Sequence, residues 1–426
     1  MIAALLVLLA QSGAPGIPPT PVEPEAGSDS YSPPPSVSPN PLRVTGYIDI
    51  GFARAQGDGT SFPAGDLRTP ADYGVDAFAS AVNSRGDVAS TDSHGRFTNG
   101  FLPRSAGIGG NASFLINTVD LDVRYMPATA PLLLFVRVQF VPRFGAASET
   151  RLVVEQAFGR LTPLANHELA LFLGKFDSVF GIEYLENEAN LRTGITPSLL
   201  ARYTTGQSIG AKLFYRRQIP ALWTAVSANV AATNQGTLVE TLQPAEASLT
   251  GVPVLSGRLG IEINLPFIEV KAGASGMYGP RNDQRESGVK QRAWGFDARI
   301  VLGGLSLSAE WVDVDQEPGG FDKANGLGPQ TIASGFTAHG GYVQAAYSLS
   351  LGDGVLQKLT AYGRYGRRHA QFEAFTPITV DRITAGLRLD LWDALLVKGE
   401  LLVNRQLADT PKVPNNVLTS SVVYSW

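Results

Sequence analysis

From Leu42 onward the chain is a succession of segments of roughly ten residues, and the connections between them alternate strictly between very short and long. The short ones fall at Pro127–Ala130, Thr162–His167, Arg217–Pro220, Leu265–Pro266, Gly303–Gly304, Gly352–Gly354 and Trp392–Asp393. The long ones fall at about Ala55–Gly110, Pro142–Thr150, Ser178–Gln207, Ala232–Leu255, Gly279–Gln291, Val314–Gly335, Ala370–Thr379 and Gln406–Pro414. Seven short and eight long connections join sixteen segments. A sandwich or propeller has no reason to sort its loops onto one end. An all-β, 16-stranded antiparallel transmembrane β-barrel does, with short periplasmic turns on one rim and long extracellular loops on the other. Closure removes every sheet edge and lets the backbone satisfy itself, which lipid demands.

Each segment repeats with period 2, so each is a strand with two unlike faces. LRVTGYIDIGF sets Val44, Ile48, Ile50 and Phe52 against Tyr47 and Asp49; FLINTVDLDVRYM sets Leu115, Val119, Leu121, Val123 and Tyr125 against Asp120, Asp122 and Arg124. LLLFVRVQF opposes Leu134, Val136 and Val138 to Arg137 and Gln139. DRITAGLRLDL opposes Ile383, Leu387 and Leu389 to Arg382, Arg388 and Asp390. The chain closes on NNVLTSSVVYSW, where Leu418, Val422, Tyr424 and Trp426 share a face. A terminal aromatic suits a strand ending in a membrane-interface girdle, so Tyr424 and Trp426 are the expected interface anchors, with Trp426 also the tag for barrel-assembly machinery.

Composition agrees. The 426 residues are 44% hydrophobic, with mean hydropathy +0.03, and no run after the first ten residues approaches the roughly 20 apolar residues a spanning helix needs. There is no cysteine, and Lys+Arg 34 against Asp+Glu 38 gives net charge −4, which offers nucleic acid nothing to hold. MIAALLVLLAQSGA reads as a signal peptide over 1–14, although it lacks a basic start. Residues 15–41 are rich in Pro and Ser and read as a disordered linker, leaving 42–426 for the barrel.

Sixteen strands enclose more space than side chains fill, so an aqueous bore is expected. Strand parity puts Arg124, Arg137, Arg299, Arg364, Arg368, Arg382 and Arg388 on its wall, with Lys212, Arg258, Lys271 and Lys398 and acidic partners that include Asp49, Glu155, Glu262, Glu310 and Glu400. A basic row hands on anions; the alternative use of the same charges is pairing across strands. The third long connection, GKFDSVFGIEYLENEANLRTGITPSLLARYTTGQSIGAKL, adds Glu183, Glu186, Glu188 and Arg192 as candidate constriction residues.

Gly174-Lys175-Phe176, Phe180-Gly181-Ile182-Glu183 and Thr205-Gly206 before a new strand resemble the strand-loop-strand signature of the phosphate-selective porin type and related barrel porins. The resemblance spans about forty residues. It implies passive diffusion of small hydrophilic solutes, sometimes anions, through trimers in the outer-membrane lipid; in sixteen-stranded porins the third outer loop folds into the barrel, and the alternative here is an outer loop whose charges are simply solvated. In the inward fold, Glu183, Glu186 and Glu188 would face Arg364 or Arg368 across an eyelet. That family's phosphate-binding arginine ladder and lysine cluster have no residue-by-residue match here, so phosphate selectivity is not carried over.

Two other functions compete with a channel. A barrel enzyme needs a nucleophile set or paired carboxylates, and none of His94, His167, His339 and His369 falls beside a nucleophile motif. No paired ligands suggest a metal, and no cofactor is expected. The long first loop, with Asp58, Asp66, Asp72, Asp76, Asp87 and Asp92, leaves open a surface adhesin or receptor role.

Overall fold

The computed structural model describes residues 41–55, 90–91, 97–98, 112–127, 130–142, 150–164, 168–177, 179–186, 188–204, 206–234, 251–280, 290–317, 336–352, 354–372, 375–408 and 416–426. The expected signal peptide, nearly all of the linker, the acidic residues of the first loop, His94 and His167 lie outside these.

Among the described residues, sixteen antiparallel strands close into one barrel. They are β1 (Leu42–Ala55), β2 (Ala112–Tyr125), β3 (Leu132–Pro142), β4 (Thr150–Leu161), β5 (Glu168–Asp177), β6 (Gln207–Ile219), β7 (Thr224–Thr233) and β8 (Val254–Leu265). The second half is β9 (Ile268–Pro280), β10 (Lys290–Leu302), β11 (Leu305–Gln316), β12 (Phe336–Ser350), β13 (Leu356–Phe372), β14 (Phe375–Leu391), β15 (Leu395–Leu407) and β16 (Val417–Ser425). Each strand pairs with its sequence neighbour, and β1 closes on β16 from Tyr47↔Ser425 to Ala55↔Val417. Reciprocal bonds between Gly46 and Trp426 extend that seam to the last residue. A two-residue ribbon, Ser90–Thr91 with Phe97–Thr98, stands in the first loop.

The sheet is inside out. Leu121, Leu134, Ile383, Leu387 and Leu401 are 40–54% exposed on the outer wall, while their strand neighbours Asp120, Arg137, Arg382 and Lys398 are at most 6% exposed inside. No water-soluble fold leaves such a row of large apolar side chains uncovered around its wall. Exposed aromatics rim the band. Tyr125, Trp223, Phe267, Tyr347, Trp392, Tyr424 and Trp426 stand at the short-turn rim; Phe114, Tyr278, Trp294, Phe296, Trp311 and Tyr365 stand toward the loop rim. Aromatic rings favour the two membrane–water interfaces. Trp223 and Trp392 sit in turns at φ 53° and 48°, a left-handed conformation that bulky residues rarely adopt. The ring of Trp426 lies over Gly46, where a Cβ would come within 2.6 Å of it.

Three local departures from simple alternation matter. The β1–β2 register slips one residue at Asn117, so Phe114 and Ile116 continue the outward row where strict alternation assigned Leu115. The β3–β4 register slips at Glu155, and this bulge turns both Glu155 and Gln156 inward, at 1% and 0% exposure. The connection expected at Ala370–Thr379 is not a long loop: β13 and β14 run on as 17-residue strands to Phe372 and from Phe375. Their outer faces near that end carry Arg367, Asp381 and Tyr365 in one network, polar groups that belong beyond a lipid band.

The inner wall is not uniformly polar. Leu133, Phe135, Phe158, Phe172, Phe176 and Phe214 of β3–β6 form a buried cluster within the bore. Lys212 Nζ lies 4.5 Å from the Phe172 ring centre and 5.3 Å from that of Phe176, so an ammonium is held against aromatic faces.

Candidate functional site

The connection between β5 and β6 folds into the bore and is bound to nearly every side of it. Its first turn is made possible by Gly181, at φ 75°, whose missing side chain leaves room for the Glu310 carboxylate of β11. Glu310 Oε2 accepts from the backbone N–H of Ile182 at 3.4 Å and of Glu183 at 3.2 Å, and Gly181 N–H donates to Ser275 Oγ at 3.0 Å. A 3₁₀ turn, Glu183–Glu186, follows, with Tyr184 buried beneath it. Glu186 then reaches Arg299 of β10 at 2.5 Å. Glu188 accepts the Tyr47 hydroxyl proton of β1 at 2.6 Å and pairs with Arg137 of β3. Arg137 is itself held bidentately by Asp122, at 2.6 and 2.8 Å.

On the opposite wall the loop is held by its backbone. Lys398 Nζ donates to the carbonyls of Ala189 at 2.6 Å, Arg192 at 2.5 Å and Gly194 at 3.1 Å. Arg388 donates to the carbonyls of Leu191 and Arg192. Arg364 donates to those of Thr196 at 2.5 Å and Pro197 at 2.8 Å, and Arg382 reaches Pro197 at 3.2 Å. Glu400 accepts the Thr196 N–H at 2.8 Å and the Tyr362 hydroxyl at 2.9 Å. The loop ends in a short helix, Ala201–Thr204, whose neighbours Leu199 and Leu200 pack against the wall near Gly366 and Gly340. Phe180, Ile195, Leu199, Leu200, Ala201 and Tyr203 are all at most 2% exposed, so this segment has a core of its own inside the barrel.

The inward fold therefore matches what the family resemblance implies, and the eyelet arrangement does not. Glu183 turns back on its own loop, accepting from the Ser198 N–H at 2.6 Å and from the Ser198 hydroxyl. Glu186 and Glu188 meet Arg299 and Arg137, and Arg364 meets carbonyls. The cause is local. Backbone carbonyls of a compact loop are the nearest and densest acceptors, and a buried cation binds those rather than a carboxylate across the bore. Arg192 also works inside the loop, donating to the carbonyl of Ile195 at 2.7 Å; burial lowers its pKa from the ordinary arginine value, with Glu183 acting the other way. Arg368 is fully buried under the loop, and Arg382 and Lys398 are 2% exposed. These three do not face open water.

Water reaches the β6–β11 side instead. There Arg216 pairs with Glu168 and Glu262, Arg258 with Asp297, and Lys271 with Glu269. The side chains of Lys271, Glu269, Arg299 and Glu186 are 45%, 39%, 39% and 32% exposed. Arg124, on the other side, keeps 21% of its side chain exposed beside Asp122. Tyr47, Tyr362 and Ser275 are contacts that sequence reasoning did not assign; inward parity alone marks Tyr47. His339 and His369 form a cross-strand pair, ring centres 5.1 Å apart, and Trp311 stacks on the first. His369 Nδ1 also lies 2.8 Å from the Thr379 hydroxyl.

No protein-family model matches the chain, and no curated protein matches it in sequence. Among solved structures the chain is similar to the outer membrane channel DcaP of Acinetobacter baumannii, at 11% identity and TM-score 0.53, covering 90% of this chain and 97% of that one. It is similar also to OprB of Pseudomonas putida, at 9% identity and TM-score 0.53, covering 90% and 94%. Likeness at such identity establishes the fold, that of outer-membrane barrels. The finer resemblance to the phosphate-selective type finds no support in these structures.

Proposed function

We propose that the chain is an outer-membrane porin, passing small hydrophilic solutes or ions down their gradients through a bore narrowed by the β5–β6 loop. The observation that carries this reading is the pairing of an uncovered apolar outer wall with a charged inner one, crossed by a loop anchored on both sides. Lipid accounts for the first and water for the second. Short turns then lie in the periplasm, with Tyr424 and Trp426 in its girdle and Trp426 available to the barrel-assembly machinery. The porin resemblance adds homotrimers to this reading.

Selectivity follows from which charges touch water. The later-strand arginines that suggested an anion path spend their donors on loop carbonyls. The wetted wall carries Arg216, Arg258, Lys271 and Arg299 against Glu168, Glu186, Glu262, Glu269 and Asp297, a near balance. Weak charge selectivity, tunable at Lys271 and Arg299, is the expected behaviour. Reconstitution in a planar bilayer tests it: stepwise conductance with a small reversal potential in a salt gradient is the expected result. A protein that stays soluble without detergent, or never yields steps, refutes the channel.

A further inference from the structure

On the outer wall near the loop rim, strand register lines up a row of polar side chains. Asp313 of β11 pairs with His339 of β12, His339 with His369 of β13, and His369 with Thr379 of β14. Their chain neighbours Val312, Val314, Ala338, Arg368 and Val380 are buried inside, so the row faces outward. It lies one step nearer the loops than Trp311 and the Arg367–Asp381 pair, which already stand at the edge of the lipid band, so water reaches it. Both histidines are half-buried rather than covered. They are far apart in sequence, and only the β12–β13 register brings them together.

The ring geometry points to a ligand. The centres of the two imidazoles are 5.1 Å apart. Two imidazoles on one tetrahedral metal ion, each nitrogen about 2.0–2.1 Å from it, hold their ring centres about 5 Å apart. The pair therefore has the spacing of a bound one before anything binds. Both rings are also fixed in place. Trp311 stacks on His339 at 5.8 Å and 28°. The Thr379 hydroxyl holds His369 Nδ1 at 2.8 Å and leaves Nε2 for a metal; metal-ligating histidines are commonly oriented through their other ring nitrogen in this way. Packing alone would need no free nitrogens, yet neither the His339 imidazole nor the Asp313 carboxylate has a hydrogen bond or ion pair with another described residue. Asp313 thus sets negative charge beside the pair, while Arg367, the basic group of the adjoining row, is taken up by Asp381 at 3.6 Å.

We infer that His339 and His369 form a binding site for a divalent transition-metal ion of the zinc and copper class on the outer rim of the barrel. Imidazole suits such ions, whereas calcium and magnesium take oxygen ligands. Two protein ligands leave the other positions to water, so the site is open and exchanges with the medium. A bound ion would clasp β12 to β13 where these strands run out toward the loops. The site stands outside the bore and does not depend on what the bore conducts.

Zn²⁺ is the first probe. Calorimetric titration of the folded, detergent-solubilised chain, purified without a histidine tag, should reveal a saturable Zn²⁺ site. H339N and H369N should each weaken it by about tenfold or more, while the double variant H94N with H167N, which changes the chain's other two histidines, should leave it unchanged. Cu²⁺ is the second probe, because a paramagnetic ion beside Trp311 quenches its emission. Cu²⁺ should quench the wild type in a manner reversed by Zn²⁺, and W311F should lack that component. Absence of saturable Zn²⁺ heat in wild type overturns the inference. So does a site that survives at full strength in H339N or in H369N, or that disappears in H94N with H167N. Should a histidine variant lack the heat-dependent gel mobility of a folded barrel, the copper comparison decides: equal quenching in wild type and W311F places the metal elsewhere and refutes the site.

Discussion

Replacing Lys398 by methionine removes one nitrogen and keeps nearly the same volume, so it isolates what that nitrogen does. The ammonium serves three loop carbonyls at 2.5–3.1 Å and is 2% exposed. Each such charge-assisted bond contributes about 1.5–3 kcal/mol. Burying the charge offsets part of that, so the net loss is smaller than the sum. Removing one partner of a buried charged set typically costs about 3–5 kcal/mol. At about 1.4 kcal/mol per tenfold, the middle of that range raises the loop's open population by roughly three decades. The loop's other fastenings on Arg364, Arg388 and Glu400 keep the change local. Hydrogen exchange is the assay. Amides of Leu191, Arg192 and Thr196 should exchange roughly a thousandfold faster in K398M, while β8 and β9 on the far wall exchange as before. In bilayers the same variant should show larger and noisier steps, and K398R should restore part of the protection. Loop amides that exchange at the wild-type rate would mean that Lys398 does not hold this segment. Equal acceleration in β8 and β9 would mean that the variant loosens the whole barrel.

Other expectations follow from the same contacts. G181A forces a Cβ to within 1.8 Å of Glu310 Oε1 in a left-handed turn; the displaced loop should widen the conductance distribution, and an unchanged histogram argues against Glu310 as its seat. L121R places a charge on the outer wall and should lower the folding free energy into lipid vesicles by about 2–4 kcal/mol, measured by urea titration; a neutral effect would mean that this face is wet. K271S with R299S should shift the reversal potential toward cations by removing two well-exposed basic groups of the bore, whereas R368Q, fully buried, should leave it nearly unmoved. If R368Q shifts it and the double variant does not, selectivity resides on the later strands after all.

The fold was legible because lipid enforces the pattern that sequence displays. Leu121 beside Asp122, or Leu387 beside Arg388, states which way each residue points once the barrel is suspected, and the sorting of loops fixes the strand order. Irregular positions were not legible. A bulge such as the one at Glu155 shifts the parity of everything beyond it, and nothing in VVEQAF announces it. The aromatic cluster escaped for a related reason. Segments such as LALFLGKF are apolar on both faces, so period 2 does not tell Phe172 inside from Leu173 outside. The loop's docking was half legible: length and resemblance implied an inward fold, but the bonds that seat it run to backbone carbonyls, which every sequence possesses alike.

That last point changes what the basic wall can be for. A lysine or arginine lining an open bore is solvated by water and free to meet a passing anion. The same residue under a carbonyl roof has exchanged its water for fixed dipoles, and an ion would have to dislodge the loop to reach it. Arg364, Arg382 and Lys398 are in the second condition, so their positive charge acts on a solute only through the field that escapes the loop. Because carbonyls do the binding, the half-buried side chains of Asn190, Leu191 and Thr193 are free to change without loosening the anchor, while buried Arg192, Ile195 and Thr196, and Gly194 packed under Tyr362 and Glu400, are not. Substitutions at those three positions should therefore be tolerated by the fold and felt by the bore, whereas G194A should disturb the anchor: its Cβ would lie within 3 Å of the Glu400 carboxylate and the Tyr362 hydroxyl, which together hold Thr196. Loop-amide protection in G194A equal to wild type would show that this corner has slack, and that the carbonyl roof is looser than its hydrogen bonds imply.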